Sequence, residues 1–260
     1  MPLPENWKPK YLNDLIRVGS ERDGGYVLPE RVLKKTKFLI SLGLADDWSF
    51  EEDFQKQSSA NVICYDHTTT KNFWRKRFLH DCFRLILKEN RKKTFYSLFD
   101  YYRYKNFFNG NTALHHKKKI GYSSQNETDL ASIIRQVDSH HIFLKIDIEG
   151  WEYRILAQIS EFKARVLGFV IEFHDVDLLS SRVSEFIENI KEHFTLVHIH
   201  ANNCGGIDPE GNPLVLEMTW IRNDEIDTGE GKISITYPIE GLDQANAPEF
   251  PDIALSFSAK

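Results

Sequence analysis

Short apolar runs separated by longer amphipathic segments are the main pattern along the chain. Four of these runs lie at residues 37–42, 61–66, 143–147 and 165–174. Each is bounded by polar residues or glycine and is too short to form a core helix. The segments between them carry apolar residues at helical spacing, as at Leu130, Ile133 and Ile134. This alternation predicts an α/β fold built on a mainly parallel sheet.

The last part of the chain predicts two more strands, at residues 195–206 and 213–224, joined by a DPEGN turn. Residues 225–260 are polar and contain several prolines, so we expect a loosely structured tail that crosses the surface. The length suits a single domain spanning residues 1–260.

The stretch FLKIDIEGWEY, at residues 143–153, combines a buried strand with the turn that follows it. The strand ends on Asp147, Gly150 permits a sharp turn, and a helix is predicted from Glu152. In open parallel sheets, ligands bind beyond the carboxyl ends of the strands, which makes Asp147 a candidate active-site carboxylate. The alternative is that Asp147 and Glu149 only cap the following helix.

The same stretch carries the pattern D-x-E-G-x-E, which occupies Asp147, Glu149, Gly150 and Glu152. This pattern resembles the FkbM-type family of S-adenosylmethionine-dependent methyltransferases. The resemblance implies a Rossmann-like sheet of about seven strands that binds S-adenosylmethionine. It also implies an antiparallel last strand, inserted between the strand that ends at His174 and the strand that carries His200.

A second unit of strand, glycine turn and helix predicts the cofactor-binding half of the site. Gly43 follows the strand at 37–42, and a helix is predicted near Ser49, where Ser49 and Glu52 fit a capping box. The next strand ends on Asp66, at a spacing where an acid accepts hydrogen bonds from both ribose hydroxyls of an adenosine cofactor; a turn-forming aspartate is the alternative. The absence of GxGxxG and GxxxxGKS disfavours NAD and excludes a P-loop.

A leader of the form R-x-G-x-x-x-D-G-G-Y starts at Arg17 and resembles leaders of bacterial FkbM-like proteins. The resemblance implies a segment that folds over the cofactor site, whereas the tripeptide alone also fits a plain hairpin turn. The predicted cofactor-binding residues are Arg17, Gly24, Gly25, Tyr26, Ser41, Gly43, Ala45, Ser49, Phe50, Asp66, His67 and Asp147.

Glu172 and His174 are two residues apart at the end of a predicted strand, so they share a face. His174 is the favoured general base, because the unperturbed pKa of histidine lies near physiological pH. The alternative is a hydrogen-bonded structural histidine. We expect His174→Ala to remove turnover and to leave cofactor binding nearly intact. The predicted catalytic residues are His174, Asp147, Glu172 and His200.

A divalent metal is left open as a second cofactor. His198 and His200 form an H-x-H pair, which can bind a metal. Metal-dependent O-methyltransferases instead take ligands from the loops after the two central strands. Those candidates are Asp147, Glu172, His174 and Asp175. No complete ligand set stands out, so the metal ligands stay unknown.

Residues 71–119 interrupt the α/β pattern with a basic and aromatic insertion. The segment has fourteen Lys or Arg and three acids, whereas the whole chain has a net charge of −5. It predicts amphipathic helices at roughly 72–90 and 94–108, inserted as a helical lid. Such a charge favours an anionic partner: a nucleotide diphosphate, a phosphorylated glycan, a membrane surface or a nucleic acid. A solvated basic helical face is the alternative.

The leading functional hypothesis follows from the resemblance, since family members commonly methylate hydroxyls of sugars or of other secondary metabolites. It is an S-adenosylmethionine-dependent O-methyltransferase acting on a nucleotide-activated or phosphorylated precursor of a bacterial surface glycan, such as a capsule polysaccharide. One alternative is a methyltransferase of RNA or another nucleic acid, although a nucleic acid is less favoured as a partner than a small molecule. The other is a non-catalytic binding protein with the same fold. A metal-dependent hydrolase using His198 and His200 is a weaker third.

Three scattered cysteines argue against a disulfide framework and for a reducing compartment. The N-terminus has no apolar h-region, and no run approaches the length of a transmembrane helix. We therefore expect a cytoplasmic protein without a signal peptide or transmembrane segment. The sequence is compatible with a homo-oligomer.

Overall fold

The computed structural model of the chain describes residues 2–86, 99–121, 127–226 and 235–258, with the backbone alone at 85–86. The strands are β1 (Leu15–Gly19), β2 (Gly25–Pro29), β3 (Phe38–Leu42), β4 (Asn61–Tyr65), β5 (Ala113–His116), β6 (Lys119–Ile120), β7 (Glu127–Thr128), β8 (Ile142–Ile146), β9 (Val166–Phe173), β10 (Phe194–Ala201) and β11 (Leu216–Arg222). The α-helices are α1 (Glu30–Lys35), α2 (Ser49–Ser58), α3 (Lys71–Ile86), α4 (Asp100–Phe107), α5 (Leu130–Gln136), α6 (Leu156–Glu161) and α7 (Val176–Ile190).

A seven-stranded mixed sheet runs through the centre of the fold, in the order β10-β11-β9-β8-β3-β4-β5. The neighbouring pairs from β9 to β5 are parallel, whereas β11 is antiparallel to both β9 and β10. The predicted Rossmann-like sheet with an inserted antiparallel last strand is therefore confirmed. Because β3, β4 and β8 are parallel neighbours, the loops after Leu42, Tyr65 and Ile146 meet at one edge of the sheet.

Both faces of the sheet are covered, because successive residues of each central strand point to opposite sides. In β8, Phe143 packs with the cluster that contains α1, α2 and the β1–β2 hairpin, whereas Leu144 packs with α5, α6 and α7. All five residues of β8 are buried, including the charged Lys145. The strand is thus packed between two apolar layers, which fix the position of the residues that follow it.

The basic segment 71–119 is helical only in part. It supplies α3 and α4, but it also supplies β5, the edge strand of the main sheet, which the prediction of a helical lid did not contain. Parts of both predicted helices fall on residues 87–98, which lie outside the described residues. Trp74 of α3 packs on Trp48 and on Tyr104 of α4, with ring centroids 6.2 and 5.1 Å apart. The two helices are therefore docked beside α2.

The prediction of a loosely structured tail is wrong for residues 235–258. This segment has no regular helix, but Tyr237, Asp243 and Asn246 are buried in it. Its backbone forms a bridge between Tyr237 and Leu255, and another between Phe257 and Leu3. Polar partners in β10 and β11, described below, explain why a polar sequence is packed here. Within the described ranges, no helix is long and apolar enough to cross a membrane.

Candidate active site

A cavity of about 330 Å³ lies at the edge of the sheet where β3, β4 and β8 end. Its volume is in the range of small-molecule sites. It is lined by Gly43, Leu44, Ala45, Tyr65, Asp66, His67, Thr68, Lys118, Lys119, Ile120, Asp147, Ile148, Glu149 and Trp151. Five residues predicted to bind the cofactor are therefore brought together here: Gly43, Ala45, Asp66, His67 and Asp147.

The loop after β3 passes very close to the end of β8. Gly43 has a φ of +85°, and a Cβ built on it would overlap the main-chain carbonyl of Asp147. Only glycine fits this position, for both conformational and steric reasons. Ala45, two residues later, also has a positive φ, of +47°. Gly43 therefore allows the loop to pass close to β8, and Ala45 adopts a positive φ without being a glycine. The backbone of this loop forms one wall of the cavity.

Asp66 holds this loop in place through its carboxylate. One oxygen, Oδ2, accepts hydrogen bonds from the backbone N–H groups of Leu44 and Ala45, at 2.9 and 2.7 Å. The other, Oδ1, accepts from the N–H and the hydroxyl of Thr68, at 2.5 and 2.6 Å. Burial raises the pKa of Asp66, but these hydrogen bonds outweigh burial and lower the pKa below its ordinary value. Asp66 is thus a preorganised anion that joins the ends of two strands.

The D-x-E-G-x-E pattern forms a tight turn closed by its last acid. Glu149 and Gly150 both have positive φ values, of +55° and +88°. Glu152, which is fully buried, accepts hydrogen bonds through Oε1 from the N–H groups of Ile148 and Gly150, at 2.9 and 3.2 Å. A left-handed conformation at a non-glycine residue is a typical feature of functional turns. The motif therefore fixes the backbone just beyond Asp147.

His174 lies beside this turn and is surrounded by carboxylates. Its Nδ1 is 3.2 Å from Glu152 Oε1, and its Nε2 is 3.5 Å from Glu149 and 3.8 Å from Glu172. Burial alone would lower the pKa of His174, but the hydrogen bond and charge of Glu152, with the charge of Glu172, raise the pKa to about 9. His174 was favoured as a base because the ordinary pKa of histidine is near neutral. With its pKa raised to about 9, the imidazole instead carries a proton at pH 7.

Asp147 shares a buried polar network with Lys145, Tyr26 and Glu172. Lys145 Nζ is 3.1 Å from Asp147 Oδ2 and donates to the carbonyl of Gly43 at 2.8 Å. The Tyr26 hydroxyl donates to Glu172 Oε2 at 2.9 Å and lies 3.4 Å from Asp147 Oδ2. Burial and the charge of Asp147 raise the pKa of the Glu172 carboxyl. Lys145 thus connects the cofactor-side loop to the candidate catalytic carboxylate.

A family model for the FkbM methyltransferase domain matches residues 13–200. The chain belongs to the FkbM methyltransferase domain family. The match includes the whole cavity and every strand of the sheet except β11 and the last residue of β10. A sequence search among curated proteins finds no match to this methyltransferase.

Several solved structures resemble the methyltransferase weakly. An rRNA methylase from Streptococcus thermophilus has a TM-score of 0.41 and 9% identity, over 74% of this chain and 90% of that chain. The fibrillarin pre-rRNA processing protein of Methanococcus jannaschii has a TM-score of 0.38 and 10% identity, over 73% and 68%. The Streptococcus mutans protein SMU.1697c, in complex with SAH, has a TM-score of 0.36 and 11% identity, over 74% and 93%. Likenesses at this level do not bear on the substrate.

Three predicted contacts from the leader of the methyltransferase lie in a hairpin outside the cavity. Arg17 donates to the carbonyls of Ser20 and Arg22, so its guanidinium closes the turn between β1 and β2. A Cβ on Gly25 would overlap the Ser20 carbonyl, and a Cβ on Gly24 would lie 3.2 Å from Asp47. The leader approaches the site through Tyr26, which donates to Glu172, and through Asp23, which shares the donor Asn202 with Glu172.

Three other predicted cofactor contacts lie behind the glycine loop. Ser41 is buried and donates a 2.5 Å hydrogen bond to Glu51. Phe50 packs in the core against Tyr26, with ring centroids 5.3 Å apart. Ser49 is the first residue of α2 and makes no side-chain cap, so the capping-box prediction is wrong; Asp47 instead accepts from its N–H at 2.8 Å. These residues support the loop and do not line the cavity.

His200 lies outside the cavity and is buried between two acids. Its Nδ1 is 3.2 Å from Glu217, and its Nε2 is 3.1 Å from Asp252. The neighbouring His198 is 2.9 Å from Asp243. Each histidine therefore anchors the C-terminal segment to β10. The geometry favours a structural role for His200 over the predicted catalytic one, and the H-x-H pair is occupied by acids rather than open to a metal.

Replacing His200 with glutamine is expected to lower the free energy of unfolding by about 3 kcal/mol near pH 6, because a buried ion pair loses one partner. Burial lowers the pKa of His200, but its bonds to Asp252 and Glu217 raise the pKa to about 10, so this stabilisation is present below the ordinary value of 6.5 and is lost as pH rises through 10. Denaturant unfolding of the wild type and the variant, near pH 6 and again above pH 10, measures the difference. An equal loss at both would contradict the ion-pair explanation.

Sequence reasoning missed Lys145, Glu152 and Asn202. Lys145 carried a signal, since a lysine inside a buried strand must find an anion, and here that anion is Asp147. Glu152 was quoted as part of the motif, but its contact with His174 could not be read from the spacing. Asn202, just after β10, donates to Glu172 Oε1 at 2.9 Å, although the two residues are 30 apart along the chain. Only the fold brings that pair together.

Proposed function

We propose that the protein is an S-adenosylmethionine-dependent O-methyltransferase of a sugar hydroxyl, acting on a nucleotide-activated or phosphorylated precursor of a bacterial surface glycan. The observation that carries the proposal is the cavity itself. Its lining combines the glycine loop, held by Asp66, with the Asp147 carboxylate beside that loop. A cofactor bound there would present its methyl group toward Asp147, at the carboxyl ends of the strands.

The walls of the cavity support an adenosine-containing cofactor. Tyr65 and Ile120 provide an aromatic and an apolar surface, which suits a purine ring. Asp66 and His67 follow β4, at the predicted place of the ribose. The four hydrogen bonds that Asp66 already accepts fill the lone-pair sites of a carboxylate. Ribose binding would therefore replace one of these bonds, most readily a bond to the exposed Thr68.

The reaction forms an oxygen–methyl bond, breaks a sulfur–methyl bond and releases the proton of the acceptor hydroxyl. The enzyme must align the acceptor with the sulfonium methyl and accept that proton. Asp147 is the cavity carboxylate at the end of β8, and its Oδ2 is held by Lys145. We assign the proton to Asp147 near neutral pH, because His174 is already protonated there. His174 would then orient the turn through Glu152 and balance the surrounding acids.

The rim of the cavity supports an anionic acceptor. Lys118 and Lys119 line it, and the Lys119 ammonium lies 3.7 Å from the ring centroid of Trp151. The guanidinium of Arg154 lies over the same ring at 4.0 Å. By contrast, Arg77 of α3 pairs with Asp46 and Asp100, and none of the described side chains of α3 or α4 lines this cavity. The phosphates of an acceptor would therefore meet the end of the basic segment, not its helices.

Transfer of isotope-labelled methyl from S-adenosylmethionine tests the function directly. Purified protein is incubated with a panel of nucleotide-sugars and, separately, with RNA, and the labelled product is separated from the cofactor. Methylation of a sugar hydroxyl supports the proposal. Methylation of RNA with a steep salt dependence would replace it with the nucleic-acid alternative. Cofactor binding without transfer to any acceptor would favour a binding protein.

The described residues contain two groups of side chains that could hold a divalent cation. In one of them, Asp23, Glu172 and Glu217 already accept hydrogen bonds from Asn202 and Asn246. A cation does not fit the other group either. Asp147, Glu149 and His174 offer ligand atoms that all lie within 4.8 Å of one another. However, Lys145 already pairs with Asp147, and the protonated His174 pairs with Glu149. A metal ion would have to displace a proton and compete with an ammonium group. The proposed reaction therefore includes no step through a metal.

Removing divalent cations is expected to leave methyl transfer unchanged, because both carboxylates of this group are balanced by cations of the protein. The measurement compares initial rates in excess chelator and in excess Mg²⁺, with cofactor binding followed in parallel. Loss of transfer in chelator that Mg²⁺ restores, with cofactor binding intact, would contradict this expectation.

A further inference from the structure

The outer face of α3 exposes large apolar side chains that a water-facing helix normally lacks. Phe78, Leu79 and Phe83 are 52%, 65% and 59% exposed. The opposite face of the helix is buried: Trp74 packs against Trp48, and Asp81 lies 3.9 Å from Arg77. The helix is therefore already held by one side, and its exposed apolar residues do not serve its own docking.

Basic residues surround these apolar side chains. Arg75, Leu79 and Phe83 are spaced four residues apart and form one row along the helix. Lys71 extends this row by one turn, Lys76 lies beside it, and both lysines are exposed. The outer face of α3 consists of Lys71, Arg75, Lys76, Phe78, Leu79 and Phe83. It contains no acid, although the chain as a whole is negatively charged.

The acids of α3 and α4 are turned inward. In the described part of these helices, the only acids are Asp81 and Asp100. Both lie against the guanidinium of Arg77, at 3.9 and 3.2 Å, and Asp46 of the glycine loop joins them. Both acids of these helices are therefore on the inner side, and the charged residues of the outer face are all basic. This separation of charge points to an anionic surface outside the protein.

We propose that the outer face of α3 docks on an anionic lipid surface, with the helix lying in the plane of the interface. Amphipathic helices that bind in this way combine an apolar row with flanking Lys or Arg. The lysines and Arg75 would approach the headgroups, while Leu79 and Phe83 would enter the boundary with the acyl chains. A polynucleotide is less well matched, since single strands are held by aromatic platforms in a groove, and Leu79 cannot stack on a base. The proposal does not depend on which acceptor the cavity takes.

Co-sedimentation with vesicles tests the proposal on the full-length protein. One set of vesicles is pure phosphatidylcholine, and the other contains phosphatidylglycerol in addition. We expect at least tenfold stronger binding to the anionic vesicles, weakened by salt. The double variant Leu79→Glu and Phe83→Glu should lose this binding by tenfold or more. The matched control is Leu178→Glu in α7, which replaces an apolar residue that is 77% exposed and lies on another element; it should bind like the wild type.

Folding and cofactor binding of each variant are checked by thermal unfolding and by titration with S-adenosylhomocysteine, which should not change. Equal weak binding to both kinds of vesicle would overturn the proposal. So would full binding by the double variant, because the face would then not be the contact. A third contrary outcome is single-stranded RNA that binds more tightly than the anionic vesicles and displaces the protein from them, which would assign the face to nucleic acid.

Discussion

Replacing Asp66 with alanine is expected to weaken S-adenosylhomocysteine binding by tenfold or more, a loss of about 1.4 kcal/mol. The physical reason is specific to this carboxylate, which accepts hydrogen bonds from Leu44, Ala45 and Thr68. Without it, two backbone N–H groups of the glycine loop lose their acceptor, and the wall of the cavity is no longer fixed. Isothermal calorimetry on the wild type and on Asp66→Ala measures the change.

A matched control shows whether the loss belongs to the site. Asp208 also accepts from a neighbouring backbone, at Asn212, and its pKa is also lowered by these hydrogen bonds, but it lies in a turn that does not line the cavity. Asp208→Ala should bind S-adenosylhomocysteine like the wild type. Unchanged binding by Asp66→Ala would undo both the ribose role and the loop role of Asp66.

The two roles of Asp66 can be separated with a ligand that lacks the ribose hydroxyls. If Asp66 contacts them directly, the wild type should bind the deoxy analogue more weakly, and Asp66→Ala should show no further difference between the two ligands. If Asp66 acts only through the loop, the substitution should weaken both ligands equally. The comparison is needed because Asp66 already accepts four hydrogen bonds within the protein, so a direct contact with the ribose is not assured by its position alone.

The features that could be predicted from sequence depend only on residues close together along the chain. Gly43, Asp66 and Asp147 each follow a buried strand, and parallel strands bring their ends to one edge of the sheet. The sheet order followed from the family resemblance. The edge strand β5 was missed because Ala113–His116 is short, lies inside a basic segment and carries two histidines.

The features that could not be predicted depend on partners far away along the chain. The pKa of His174 is raised by Glu152, 22 residues earlier, and the pKa of His200 is raised by Asp252, 52 residues later. An H-x-H pair in a strand therefore looks the same whether it binds a metal or a buried acid. Periodicity shows which face a side chain points to, but the charge it meets there is decided by tertiary packing.

Replacing Asp147 with asparagine is expected to lower turnover by about a hundredfold or more, the usual contribution of a general base, and to change cofactor affinity little. The amide keeps the shape of the side chain and can still accept a hydrogen bond from Lys145, but it cannot take the acceptor's proton. Single-turnover transfer of labelled methyl at saturating cofactor measures the loss. The control is Glu149→Gln, which removes a second carboxylate of the same cavity whose side chain is mostly exposed and should retain most turnover.

The dependence of turnover on pH decides between Asp147 and His174 as the proton acceptor. The pKa of His174 is raised to about 9, so a base role for this imidazole requires turnover to rise tenfold per pH unit from pH 6 until it levels near 9. With Asp147 as the acceptor, turnover should not follow this rise, because the reaction then does not require His174 to lose its proton. His174→Gln should then reduce turnover far less than Asp147→Asn. A rising profile that His174→Gln abolishes would return the base role to His174 and leave Asp147 with the task of holding Lys145 beside the cofactor loop.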